Sequence, residues 1–161
     1  MTLQDARTTR VTRRIAAPRA AIYGALLDAQ ALARWLPPDG MRGLLHVLEP
    51  HVGGRLSMTL TYEDPATGPG GKTTKETDAF SARIAELVPE RRIVWEVRFE
   101  SGDASMAGTM RVAWELADAH GGTEVTNVCS EIPVGIRLED NKLGVASSLQ
   151  NLASYLEGEA A

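Results

Sequence analysis

A single cysteine, Cys129, is all that this 161-residue chain contains. One thiol rules out an internal disulfide framework and fits a reducing compartment, so a cytoplasmic location is expected. Long apolar runs are missing too. No segment approaches the roughly 18 residues of a membrane-spanning helix, and membrane insertion is not expected. Arg7, Arg10, Arg13 and Arg14 make the N-terminus basic, but no apolar run follows them, which argues against a secretory signal. Positive charge is in deficit overall: 17 Lys and Arg face 21 Asp and Glu, a net charge of −4. Nucleic acid is therefore not expected as a partner, nor is an anionic membrane surface. The chain also has no internal repeat and no second domain boundary.

What is present is patterning. Apolar residues make up 43% of the chain, an ordinary value for a globular protein. The length fits one domain, read over residues 9–158, with flexible tails at 1–8 and 159–161. Residues 10–15 form a first strand with Val11 and Ile15 on one face. Pro18 suits the first turn of a helix whose face carries Ile22, Ala25, Leu26 and Ala29. Asp28 caps a second short helix through Trp35-Leu36, which Pro37-Pro38 ends.

From Met41 the period becomes two. Strands are expected over 43–48 (where Leu44 and Leu45 blur the alternation), 55–63, 77–87, 93–100, 107–116 and 123–131. Leu87 falls out of phase with Phe80, Ala82 and Ile84, as a β-bulge would cause. Residues 64–72, rich in Pro and Gly, are the most flexible connection. A closing helix spans 141–157 with Asp140 as its cap, and Val145, Leu149, Leu152 and Leu156 form its apolar stripe. Short turns between successive strands imply an antiparallel meander. Its apolar face needs the last helix as cover. The expected fold is α+β: a curved antiparallel sheet of six to seven strands, two short helices after strand one, and a long C-terminal helix.

Three constellations invite chemistry. Gly71-Lys72-Thr73 looks like the end of a phosphate loop. Ala66 stands where that motif needs its first glycine, and no helix follows. His46, Glu49 and His51 have a metal-like spacing, but on a strand residues 46 and 49 point to opposite faces, and Pro50 turns the chain before His51. No metal and no cofactor are expected. Cys129 is read as a small core residue rather than a nucleophile, because His120 sits in a glycine turn with no tie to it.

Several local marks occur in a specific order. The opening IAAPRAAIYGALLDAQALARWLPP carries Ala17-Pro18, Tyr23, Ala25, Asp28, Leu32, Trp35 and Pro37-Pro38. Val52-Gly53-Gly54, residues 80–89 followed by Arg92-Ile93-Val94-Trp95, Gly122-Thr123-Glu124-Val125 and LQNLASYLE at 149–157 continue the series. Together, over roughly residues 9–158, they resemble START-like (SRPBCC, polyketide-cyclase-like) domains, most closely the branch named for the activator of the heat-shock chaperone ATPase. The resemblance implies a helix-grip fold with a hydrophobic cavity. One departure stands out: that family commonly has Gly-Trp early in the closing helix, and here the pair is Gly144-Val145.

The leading functional expectation is binding of a small hydrophobic or amphipathic molecule between sheet and closing helix. The residues expected to hold it are Trp35, Met58, Leu60, Tyr62, Phe80, Trp95, Val97, Met110, Val112, Trp114, Asn127, Val145 and Leu149. His46 is a further polar candidate. The tryptophans either line this cavity or fill the core. Two alternatives stand beside it. One is a cyclase- or hydrolase-like enzyme in the same cavity, which would need an inward acid or base; Glu96 and Glu115 fall on outward phases. The other is regulation of a chaperone ATPase, with a chaperone as partner. The superfold hosts all three activities, so fold alone does not choose. The oligomeric state stays open.

Overall fold

A computed structural model describes residues 7–63 and 77–157. Seven strands form one antiparallel sheet: β1 (Thr9–Ile15), β2 (Met41–Leu48), β3 (Arg55–Tyr62), β4 (Thr77–Val88), β5 (Arg92–Phe99), β6 (Met110–Ala119) and β7 (Gly122–Ser130). Three helices accompany them: α1 (Arg19–Leu26), α2 (Ala29–Trp35) and α3 (Leu138–Leu156). The strand order is β1-β7-β6-β5-β4-β3-β2. The meander expected from the short turns is therefore present, and β1 adds to its far end beside β7. The two short helices lead the chain from one edge of the sheet to the other. This is the helix-grip arrangement.

Local sequence accounts for each element. The Asp28 carboxylate accepts from the backbone N–H of Ala31 at 3.0 Å, which caps α2. Pro18 sits just before α1 rather than inside its first turn. Ala29 is exposed and opens α2, so the α1 face consists of Ile22, Ala25 and Leu26. In β2 the alternation is regular through His46, with Leu44 pointing out and 63% exposed. A bulge between Leu45 and Val47 then leaves both Val47 and Leu48 half-buried. The bulge inferred from Leu87 lies between Ile84 and Glu86. On its other edge, Ile84 exchanges backbone hydrogen bonds with the β2–β3 turn, receiving one from Gly53 at 2.8 Å and giving one to Gly54 at 2.9 Å. Gly53 has φ +85°, and a Cβ on Gly54 would lie 2.0 Å from the Glu49 carbonyl, so both positions require glycine.

Two elements start three residues away from the sequence expectation. Strand β6 begins at Met110, not Ala107, because Ala104–Met106 make a 3₁₀ turn. The Asp103 carboxylate, which accepts from Ser105 N–H at 2.9 Å, caps that turn. Helix α3 begins at Leu138, three residues early, so Asp140 lies in its first turn instead of capping it. Acidic groups there still suit the helix dipole. The early start follows from Arg7, a residue of the expected N-terminal tail. Its guanidinium donates to the carbonyls of Ile132 (3.1 Å), Pro133 (2.6 Å) and Ile136, fixing the turn that launches α3. The phosphate-loop-like residues 71–73 and the whole Pro- and Gly-rich connection 64–72 lie outside the described residues.

The core runs under α1, α2 and the second half of α3. Trp35 is 1% exposed, donates its indole N–H to the Ala25 carbonyl at 3.0 Å, and meets Trp114 edge-on at 5.5 Å between ring centroids. Leu149 and Leu152 are fully buried, whereas Val145 and Leu156 are half-buried. No helix among the described residues is long and apolar enough to cross a membrane.

Candidate functional site

The first turn of α3 is tied to the sheet, where Thr9 Oγ1 of β1 donates to Asn141 Oδ1 at 2.5 Å. Three hydrogen bonds tie the middle of α3 to the segment after α2: Ser148 Oγ donates to the Leu36 carbonyl at 2.5 Å, Asn151 Nδ2 to the Pro37 carbonyl at 2.9 Å, and Asp39 N–H to Ser147 Oγ at 2.8 Å. The space left between α3, this segment and the sheet is a cavity of about 400 Å³. That volume is within the usual range for small-molecule sites.

Strand phase decides the lining. Leu60 and Tyr62 from β3, Phe80 from β4 and Trp95 and Val97 from β5 face the cavity. Met110, Val112 and Trp114 from β6, Asn127 from β7 and Val145 from α3 complete the predicted set that meets there. Trp35, Met58 and Leu149 do not reach it. They are fully buried in the core, Met58 behind Gly43 and Pro37, where a Cβ on Gly43 would lie 2.6 Å from Pro37 Cγ. His46 is exposed on β2 and shares a hydrogen bond with Thr59 Oγ1 at 2.8 Å. It takes no part in the cavity. His51 and Glu49 are engaged separately at the β2–β3 turn, with the Val52 carbonyl and Arg55 N–H.

Several lining residues escaped the sequence reading. Asp78 is 5% exposed and shares the inward phase of Phe80, two residues on. The signal was therefore present in the β4 alternation, masked by the habit of placing carboxylates outside. Asp39 comes from the segment after Pro37-Pro38, where no periodicity guides a reading, and Met41 opens β2 two residues before the strand expected at 43–48. Phe99 pairs with Phe80 across β4 and β5. Asp140, Asn141 and Leu143 line the cavity from the first two turns of α3.

The electrostatics follow from this lining. Burial raises the Tyr62 phenol above its ordinary pKa, and the carboxylates of Asp78 and Asp140 raise it further. Burial pushes the Cys129 thiol up to about 11, against the opposing hydrogen bonds of Asn141 and Thr9. A thiol so protonated is a poor nucleophile at neutral pH. Cys129 Sγ donates instead to Asn127 Oδ1 at 3.1 Å. Asn127 thus commits its oxygen to the protein and has its NH₂ group to offer the cavity. The indole N–H of Trp114 is buried without a hydrogen-bond partner among the described residues. The site accordingly combines a large apolar wall, a few donors and a group of carboxylates.

Comparison with known proteins agrees with the architecture. The profile of the family described as Activator of Hsp90 ATPase homolog 1-like protein matches residues 16–157. Protein CV1439 from Chromobacterium violaceum is 35% identical, with a TM-score of 0.82, over 94% of this chain and 98% of that one. The AHSA1-like protein from Aeromonas hydrophila is 17% identical with a TM-score of 0.70, over 95% and 94% of the two chains. DynU16, from the dynemicin biosynthetic locus, is 22% identical with a TM-score of 0.65, over 94% of this chain and 47% of that one. The last two likenesses are of fold alone. No curated protein matches the chain. With the profile match spanning nearly the whole chain, and with the strand order and gripping helix described above, the protein belongs to the Activator of Hsp90 ATPase homolog 1-like family.

Proposed function

We propose that this protein binds a small hydrophobic or amphipathic molecule in the cavity between the sheet and α3. The observation that carries the reading is the cavity itself: about 400 Å³, walled by Trp95, Trp114, Phe80, Val97 and Met110. A ligand burying about 250 Å² of apolar surface there gains roughly 6 kcal/mol before ordering costs. Micromolar affinity is the expected net result. Native mass spectrometry of the purified protein against a panel of lipids and aromatic compounds tests it. A retained ligand of stoichiometry one supports the reading, and an empty protein across the panel contradicts it.

A second reading, a cyclase-like enzyme, is favoured by Asp78. It supplies the inward carboxylate that the outward Glu96 and Glu115 do not. Such an enzyme would hold a flexible substrate folded against the aromatic wall, with Asp78 as its acid or base. Turnover of a bound compound that Asp78→Asn abolishes would separate catalysis from carriage. Chaperone regulation, which the family description carries, concerns the outer surface, and a chaperone ATPase assay checks it independently.

A further inference from the structure

We propose that the cavity selects an apolar carbonyl compound, whose oxygen accepts hydrogen bonds from the indole N–H of Trp114 and the side-chain NH₂ of Asn127. The inference rests on the binding reading above and deepens it, by naming the groups that orient the ligand. Trp114 on β6 and Asn127 on β7 are direct cross-strand partners, and both line the cavity. Side chains paired in this way start about 4.5–5.5 Å apart, near enough for two donors to share one oxygen. Both residues are 2% exposed, so neither donor has bulk water to turn to.

The indole N–H of Trp114 is buried without a hydrogen-bond partner among the described residues. Buried indole N–H groups ordinarily find an acceptor. Trp35, which touches Trp114 edge-on, finds one in the Ala25 carbonyl at 3.0 Å. Both rings belong to the same buried cluster, but Trp114 also lines the cavity and Trp35 does not. The acceptor that the protein leaves out is then one that a ligand brings. An indole nitrogen can only donate, which fixes the polarity: the ligand must accept.

Asn127 has the same polarity. Its Oδ1 accepts from Cys129 Sγ at 3.1 Å. That thiol keeps its proton at neutral pH, since burial pushes its pKa up to about 11. The amide therefore turns its oxygen to Cys129 and has its NH₂ left to donate. Two neutral donors suit a neutral carbonyl oxygen, which has one lone pair for each. A carboxylate placed there would give up its hydration for donors that do not balance its charge.

Butylbenzene, 4-phenylbutan-2-one and 3-phenylpropanoate share one frame and differ at its end, and isothermal titration of each into the protein tests the assignment. The ketone should bind at least as tightly as the hydrocarbon, although a carbonyl costs more to dehydrate. It should bind at least about tenfold tighter than the propanoate. Trp114→Phe keeps an aromatic ring and removes the donor. It should lower the ketone's affinity relative to the hydrocarbon's by at least about fivefold. A heteronuclear NMR spectrum of the parent needs no variant and decides the matter should Trp114→Phe melt early. The Trp114 indole proton should move downfield with the ketone and not with butylbenzene. A ketone that binds more weakly than the hydrocarbon, or an indole signal that the ketone leaves in place, would overturn the assignment and leave the cavity reading standing. So would a propanoate that binds as tightly as the ketone. Failure of all three probes to bind would overturn both.

Discussion

Trp114 packs edge-on against Trp35 at 5.5 Å between ring centroids and, on its other side, against Trp95 at the same separation. The three rings are shared between the core and the cavity. Trp35 belongs to α2 and the core, Trp95 lines the cavity, and Trp114 touches both.

Trp35→Ala should therefore act on stability. It removes a buried indole, an edge-on aromatic contact and the hydrogen bond to the Ala25 carbonyl. A loss of about 3–5 kcal/mol is expected, read as a lower urea midpoint with an unchanged slope.

Ser148 holds α3 to the end of α2 through the Leu36 carbonyl. Ser148→Ala keeps the helix propensity but leaves a buried acceptor with one partner fewer. The expected cost is about 1–2 kcal/mol in the same unfolding experiment. A variant as stable as the parent would mean that this bond contributes nothing.

Cys129 gives a pH signature. Its thiol titrates at about 11 in the folded protein against an ordinary value of 9.0. The neutral form is thus favoured by folding, and the unfolded chain loses its proton first. The associated stability is complete below pH about 9 and falls away as pH rises to about 11, by roughly 2–3 kcal/mol. Other groups titrate in that window, so the measurement is the difference between the parent and Cys129→Ala. At neutral pH the folded thiol should also resist a thiol-specific reagent and react at once in denaturant.

Much of this was legible in the chain. Two-residue alternation placed β3 to β7, Asp28 announced α2, and Leu87 announced the β4 bulge through its broken phase. Pairing distant in sequence was not legible: nothing local in residues 9–15 says that β1 lies beside β7. Arg7 likewise sets the start of α3 from 125 residues away, which moved Asp140 from cap to first turn. In the cavity, phase found the apolar wall and Asn127. It could not separate Met58 from Leu60 on the same face of β3, because only the position of α2 and Pro37 decides which of them is sealed in the core. Asp78 was readable by phase and was passed over through its charge.

Val145 lies half-buried on α3 and lines the cavity. Val145→Trp should occupy the ligand's space and leave the distant core around Leu149 and Leu152 intact. The most direct measurement is isothermal titration of decanol and 4-phenylbutanol into both proteins, alongside their melting curves. The account predicts micromolar binding to the parent and at least about tenfold weaker binding to a variant that melts within a few degrees of it. Equal affinity in the two proteins, or no binding to the parent, would contradict it.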